Sequence, residues 1–343
     1  MQSRNTSKEY LSMDVSATPW VTENTLQYES DWEDFERTRK ITWLISGIVK
    51  IIISLVGLAG NSVVLWLLTF HMQRNAFSVY ILNLAGADFV CLSTHIVSSI
   101  LCLMEYTELN SNRVFQVNFI MFFISYVAGL SILTAISTEQ CLSDLKPIWY
   151  RCHRPKHMSS VICTLLWALS LLLINLELVF CGLWFGYPNR YSCDLTTFSI
   201  VTWQVFSFAL LFGTSLVLLI RLLCGSWNMK LTRLYVTVGL TVLVFLLCGL
   251  PWGIQHILLS WMPPLSYRDL IVREVMDILT SVNSCANPII YFFVGSFRQQ
   301  RRQQRRSLKV ILQRALQDVP EEDGSQGSPP QETLEISGDT HVT

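Results

Sequence analysis

Ile136-Ser137-Thr138-Glu139-Gln140-Cys141 closes a long apolar run that begins near Val114, and it opens a basic segment. An ionisable side chain at the end of such a run stands at a membrane boundary, where it is costly and needs a partner. The residue beside Glu139, where a cation would serve, is the neutral Gln140. Upstream, the run is rich in small and hydroxyl side chains: Ser125, Ala128, Gly129, Ser131, Thr134, Ala135, Ser137 and Thr138. That composition suits a helix packed on several sides by other helices. The stretch therefore predicts the end of the central helix in a membrane bundle.

Composition agrees. The 343 residues are 51% hydrophobic and only 15% charged, too apolar for an ordinary soluble domain. Lys+Arg and Asp+Glu balance at 25 each, so net charge points to no nucleic acid. Seven apolar runs are long enough to cross a core of about 30 Å at about 1.5 Å per residue. They lie at Ile41 to Phe70, Phe77 to Met104, Val114 to Cys141, Met158 to Trp184, Leu195 to Cys224, Leu231 to Trp261 and Leu270 to Gly295. With no short cleavable leader pattern ahead of it, the first run is expected to act as an uncleaved anchor. Basic residues gather after the odd-numbered spans and in the tail, which places the N-terminus outside and the C-terminus in the cytosol.

The expected class is an all-α membrane protein, a seven-transmembrane helix bundle with a C-terminal amphipathic surface helix. Residues 1–40 form a polar outer tail, 41–295 the bundle, 296–317 a helix on the anionic inner leaflet, and 318–343 a disordered cytosolic tail. Asn5 opens an Asn-Thr-Ser glycosylation acceptor on the outer side.

Polar residues inside the spans mark the candidate sites. In the first span Gly57, Gly60 and Asn61 allow close helix approach and a hydrogen bond across it, while Lys50 reads as a lipid-facing residue that snorkels. Asp88 lies near mid-membrane in the second. A structural polar knot with Asn283 and Asn287, and an ion site taking sodium, stand as equal readings of it. Glu177 and Asp194 bring two negative groups to the outer end of spans four and five, where a cationic ligand is the favoured use. Trp252, His256 and Trp261 recur at helical spacing beyond Pro251 and form a pocket face, with Tyr106 as a further outer contact. Cys181 and Cys193 flank the outer loop and would staple spans four and five, with Cys102 as the rival partner. Pro251 in the sixth span and Pro288 in the seventh predict kinks, the latter compensated by Asn side chains.

Other chemistry is missing. No phosphate loop, metalloprotease helix, zinc pairing or nucleophile elbow occurs, the histidines are scattered, and no extramembrane segment is large enough for an enzyme domain. No enzymatic activity, cofactor or metal centre is expected. A transporter or channel remains the alternative of another class, although no pair of broken spans repeats in two halves.

Taken together and in order, several motifs resemble the rhodopsin-like G-protein-coupled receptors. They are Gly60-Asn61, Leu84 to Asp88, the tripeptide Glu139-Gln140-Cys141, Trp167, Pro251 and Asn287-Pro288-x-x-Tyr291. More narrowly, Asn75 to Ala85, Pro147 to Cys152, Leu231 to Tyr235 and Phe292 to Phe297 resemble the Mas-related receptors, with the sensory-neuron and mast-cell branches nearest.

The resemblance implies a plasma-membrane receptor for cationic peptides or small basic ligands in itch, pain or mast-cell release. Coupling would run mainly through Gq, with Gi in some members, and arrestin and membrane lipids would be further partners. It also implies the bridge between Cys181 and Cys193, and a ligand cation held where Glu177 stands. A second acidic anchor of some relatives falls nearer Thr197 here. Gln140 stands where the class has Arg, and a neutral amide cannot present a guanidinium to a G-protein. A receptor that binds a ligand or a partner but signals weakly is therefore the runner-up.

Overall fold

The computed structural model describes residues 19–71, 75–104, 109–155, 157–181, 190–224, 233–259 and 267–296. The described residues are almost entirely helical: α1 (Pro19–Phe70), α2 (Ala76–Leu103), α3 (Leu109–Leu145), α4 (Pro147–His153), α5 (Met158–Phe180), α6 (Arg190–Cys224), α7 (Arg233–Val244), α8 (Leu250–Leu259) and α9 (Tyr267–Ser296). A π-helical turn, Phe245–Gly249, joins α7 to α8, so these two form one continuous sixth crossing. Among the described residues six crossings are long and apolar enough to span a membrane by length and composition. The seventh, α9, has the length at 30 residues, but its first half carries Arg273, Glu274 and Asp277. Helix α1 begins at Pro19, inside what the sequence suggests is a polar tail and about six turns ahead of Ile41.

Helix α3 is the centre of the bundle. Of its most apolar window 72% is buried, against 28–44% in the other five, so its small residues face neighbours rather than lipid. It packs on α2, α4, α5, α6 and α7, while α1 closes the bundle against α2 and α9. One core cluster runs through α3 and its neighbours, with Tyr80, Phe123, Leu130, Ile174, Leu211 and Phe245 among its buried members. A smaller one joins Val64, Leu67, Leu68, Ile81, Ala85 and Tyr291. Outward-facing Ile45, Ile52, Leu165, Leu172, Phe206 and Leu247 are exposed, as a surface solvated by lipid requires.

Local chemistry explains the element ends and close approaches. Asn75 caps α2 in a capping box: its Oδ1 accepts from Ser78 N at 2.7 Å, and Ser78 Oγ accepts from Asn75 N at 2.7 Å. Where α1 crosses α9, a Cβ on Gly57 would lie 3.0 Å from the Cys285 backbone, and one on Gly60 would lie 2.9 Å from the Pro288 ring. Pro288 has no N–H to donate to the Ser284 carbonyl one turn back. Asn61 Nδ2 donates to that carbonyl at 3.1 Å, and to Gly57 O at 3.0 Å. The expected compensation of the seventh-span proline thus comes from the first span.

The sixth crossing departs from a simple proline kink. The chain gains its slack in the π-turn immediately before Pro251, where Leu250 N–H bonds Phe245 O. Gly249 admits the Phe245 ring, whose nearest atom would be 2.7 Å from a Cβ there. Tyr126 of α3 donates its hydroxyl hydrogen to Gly249 O at 3.0 Å. Gly253 makes room for the same hydroxyl and for Phe208, each 2.6 Å from where its Cβ would stand.

Candidate functional site

Three polar levels lie along the axis of the bundle. At one end Cys181, capping α5, is bonded to Cys193 of α6 with 4.7 Å between their Cα atoms. Cys102, the rival partner, is free. Glu177 lies one turn inside α5 from the bridge; it is partly buried, and its Oε2 finds no hydrogen-bond partner among the described residues. Asp194 follows Cys193 and is exposed. Deeper on the axis, Trp252 is the hub of an aromatic cluster. Its ring lies 4.6 Å from Tyr126, 4.8 Å edge-on from Phe122 and 5.4 Å stacked on His256, between centroids. Phe123 approaches His256 at 5.3 Å, and His95 approaches Phe122 at 5.1 Å. Trp252 is 8% exposed, so it forms the floor of this end rather than an open face. Trp261, Tyr106 and Asn5 lie outside the described residues.

The middle level centres on Asp88, 5% exposed, whose Oδ2 accepts from Asn287 Nδ2 at 2.7 Å. With Ser125, Asn283, Ser284 and Asn287 it lines a cavity of about 20 Å³, room for roughly one water or a small ion. These hydroxyl, amide and carboxylate oxygens are the donor set a hard cation prefers. Pro288 and Tyr291 follow on the same helix, Tyr291 at 1% exposure.

At the far end Glu139 is 4% exposed and is not without a cation. Arg154, just past α4, reaches back and donates through one Nη to both carboxylate oxygens, at 3.0 and 3.1 Å. The same Nη donates to Ser159 Oγ. Tyr150 of α4 donates its hydroxyl to Glu139 Oε2 at 3.2 Å. Burial, and then the Glu139 charge, push the Tyr150 phenol up to about 12. Gln140 is 7% exposed and its Oε1 is unpartnered among the described residues. Cys141 is buried and free. One helical turn on, Arg221 of α6 donates to the Asp144 carbonyl at 2.9 Å, tying α6 to the same end of α3.

A fourth charged group was not expected. Lys50 is 5% exposed and does not snorkel into lipid: its Nζ lies 2.8 Å from Oε2 of Glu274, itself 9% exposed. Ser46 donates to the same oxygen at 2.6 Å, and Asp277 stands one turn further along α9 within reach of the Lys50 charge. The sequence signal was available, because two ionisable residues of opposite sign within a bundle find each other more cheaply than either finds lipid. Arg154 and Tyr150 carried a weaker signal, since a loop side chain reaching back onto a helix end has no fixed spacing.

Seven crossings, a proline- and glycine-loosened sixth helix, the Asp88–Asn287 pair and the Glu139 end define a seven-helix receptor of the rhodopsin type. The family model for the 7 transmembrane receptor (rhodopsin family) matches residues 60–291. Mas-related G-protein coupled receptor member X2 of Rhinopithecus bieti is 51% identical over 338 residues, covering 96% of this chain and 100% of the relative. Member X1 of Homo sapiens is 53% identical over 294 residues, 85% and 89% of the two chains. Member X3 of Macaca mulatta is 56% identical over 292 residues, 84% and 88%. The chain belongs to the Mas-related G-protein coupled receptors, and so is a multi-pass plasma-membrane protein with a ligand and a G-protein as partners.

Proposed function

We propose that this receptor binds cationic peptides or small basic molecules at the disulfide end, which faces outside, and presents the Glu139 end to a heterotrimeric G-protein in the cytosol. The observation that carries the reading is Glu177. A partly buried carboxylate oxygen with no hydrogen-bond partner among the described residues, one turn below a disulfide that holds two helices together, is electrostatically ready for a ligand cation. Asp194 adds negative potential at the mouth, and Trp252 and His256 supply aromatic faces below it. Ligand binding shifts a pre-existing equilibrium, and the π-turn just before Pro251 is the place where the sixth crossing swings. Coupling mainly through Gq, with Gi as a second route and arrestin as a later partner, and roles in itch, pain or mast-cell release belong to this reading. So does a sodium ion beside Asp88; the surface helix expected over residues 296–317 lies, apart from Ser296, outside the described residues. The test is calcium release in cells displaying Glu177→Gln at normal surface density. Cationic agonists should lose potency while neutral ones keep theirs; an equal loss for both overturns the electrostatic role.

A second reading is favoured by Gln140. Its buried amide, whose Oε1 is unpartnered among the described residues, offers a G-protein no guanidinium, and Arg154, the nearby cation, is engaged by Glu139. Under this reading the chain binds ligand or a partner receptor and signals weakly. Calcium release seen only with Gln140→Arg decides for it.

A further inference from the structure

Between α2 and α3, on the outer face of the bundle, lies a groove of about 550 Å³. Its walls are Phe89 and Val97 of α2 and Val114, Val117 and Met121 of α3, all between 37% and 58% exposed. Its position along the axis follows from the helix directions. Helix α2 runs toward the disulfide end and α3 runs away from it, so Met121 and Phe89 mark the deep end and Arg113 the outer lip. From Arg113 to Met121 is eight residues, about 12 Å of helix. That is close to one leaflet of a hydrocarbon core about 30 Å thick.

The lining sorts by polarity in the same direction. The body of the groove is apolar, and Arg113, the single charged group among its described lining residues, stands at the lip. The guanidinium is exposed, and no acidic residue pairs with it among the described residues. Asn118 Nδ2 donates to Thr94 O at 3.1 Å and closes the floor by tying the two helices together. Thr94 precedes His95, whose ring meets Phe122, and Phe122 meets Trp252. The back of the groove is therefore the support of the aromatic floor.

We propose that this groove seats one acyl chain of a bilayer phospholipid whose phosphate is held by Arg113. The apolar length accepts the chain, and the cation at headgroup depth accepts the anion with charge-assisted hydrogen bonds. Sterols lack the phosphate that Arg113 selects. A phospholipid is the molecule that faces this surface at the highest concentration. The seated chain fills the space behind Asn118 and Thr94 and holds α2 against α3, so the bound lipid stiffens the floor on which the ligand end rests.

The full-length receptor is reconstituted with a phospholipid bearing a photoactivatable group in one acyl chain, and adducts are mapped by peptide mass spectrometry. Adducts are expected on residues 89–97 and 113–121 in excess over the lipid-facing Leu165 and Leu172 of α5, which serve as the control surface. Val117→Trp fills the groove and should abolish the excess while leaving α5 labelling unchanged. Arg113→Gln, a surface change that leaves the helix intact, should reduce phospholipid retained by the detergent-purified protein about fivefold, as loss of one basic contact to a lipid phosphate implies. Equal labelling of the groove and of α5 overturns the site. Retention of a sterol or a free fatty acid in place of phospholipid, or retention unchanged by Arg113→Gln, overturns the assigned occupant.

Discussion

Lys50→Met leaves Glu274 as a buried carboxylate whose cation is gone. In the intact protein Nζ and Oε2 are 2.8 Å apart, with the two residues 5% and 9% exposed. At an effective dielectric of about 20, that separation corresponds to an attraction of about 6 kcal/mol, most of which offsets the loss of hydration of both groups. Removing one partner forfeits the attraction while the other still carries its desolvation, typically about 3–5 kcal/mol. Ser46 continues to donate to the same oxygen, and chains unfolded within a membrane find substitute partners, so the lower figure, about 3 kcal/mol, is expected. Glu274→Met should cost about the same. The double variant K50M/E274M removes both desolvated charges together and should recover most of the stability. It should not exceed the native protein by much, because Asp277 then loses the nearby Lys50 charge. Reversible unfolding of the purified receptor, followed for all four proteins in one detergent, gives the coupling energy directly. Single variants within about 1 kcal/mol of the native protein, or a double variant whose loss equals the sum of the singles, refute the reasoning.

Arg154→Ala strips Glu139 of both guanidinium contacts and leaves it the Tyr150 hydroxyl. With about 3 kcal/mol lost from the state that holds them, the equilibrium shifts up to roughly a hundredfold, and basal calcium release should rise; an unchanged basal level at equal surface density counts against a restraining role. Asn61→Ala leaves the Ser284 carbonyl, already deprived of a donor by Pro288, without its second one. A loss of about 1–3 kcal/mol should follow in the same unfolding assay. Gly253→Ala drives a methyl to within 2.6 Å of the Tyr126 hydroxyl and the Phe208 ring, and should destabilise by about 1–3 kcal/mol. Gly213→Ala, into open space on α6, should be neutral or gain up to about 1 kcal/mol.

The bundle was legible because its determinants are local. Apolar length, small residues on the central helix and paired glycines in α1 depend on stretches of a few turns, and apart from the start of α1 the crossings end within a few residues of where composition changes. Less of the site could be read, for reasons that differ from residue to residue. Lys50 taken alone sets one charge against lipid, whereas its partner lies 224 residues away on α9. Pro288 was expected to find help from asparagines of its own span, but the carbonyl it frees points across to α1, where Asn61 waits. The π-turn had no sequence signature beyond Gly249, since the slack arises from how Phe245 and Tyr126 pack around that glycine.

Arg154 changes what Gln140 implies. A carboxylate at the end of a buried helix needs a cation, and in this chain the requirement is met from the segment after α4 rather than from the adjacent residue. The source matters, because a neighbour on α3 travels with Glu139 through any rearrangement, whereas Arg154 belongs to a separate element that can move independently. The same guanidinium nitrogen also holds Ser159, in the first turn of α5, so α3, α4 and α5 are joined through one group. Any motion that opens this end must break those contacts together, and breaking them releases a cation exactly where position 140 lacks one. The two readings of Gln140 then differ in a way the double variant resolves. If Arg154 takes over the contact to a G-protein once released, Arg154→Ala combined with Gln140→Arg should signal, and Arg154→Ala alone should give neither raised basal release nor an agonist response. If Arg154 only restrains the resting state, Arg154→Ala alone should keep its agonist response in full.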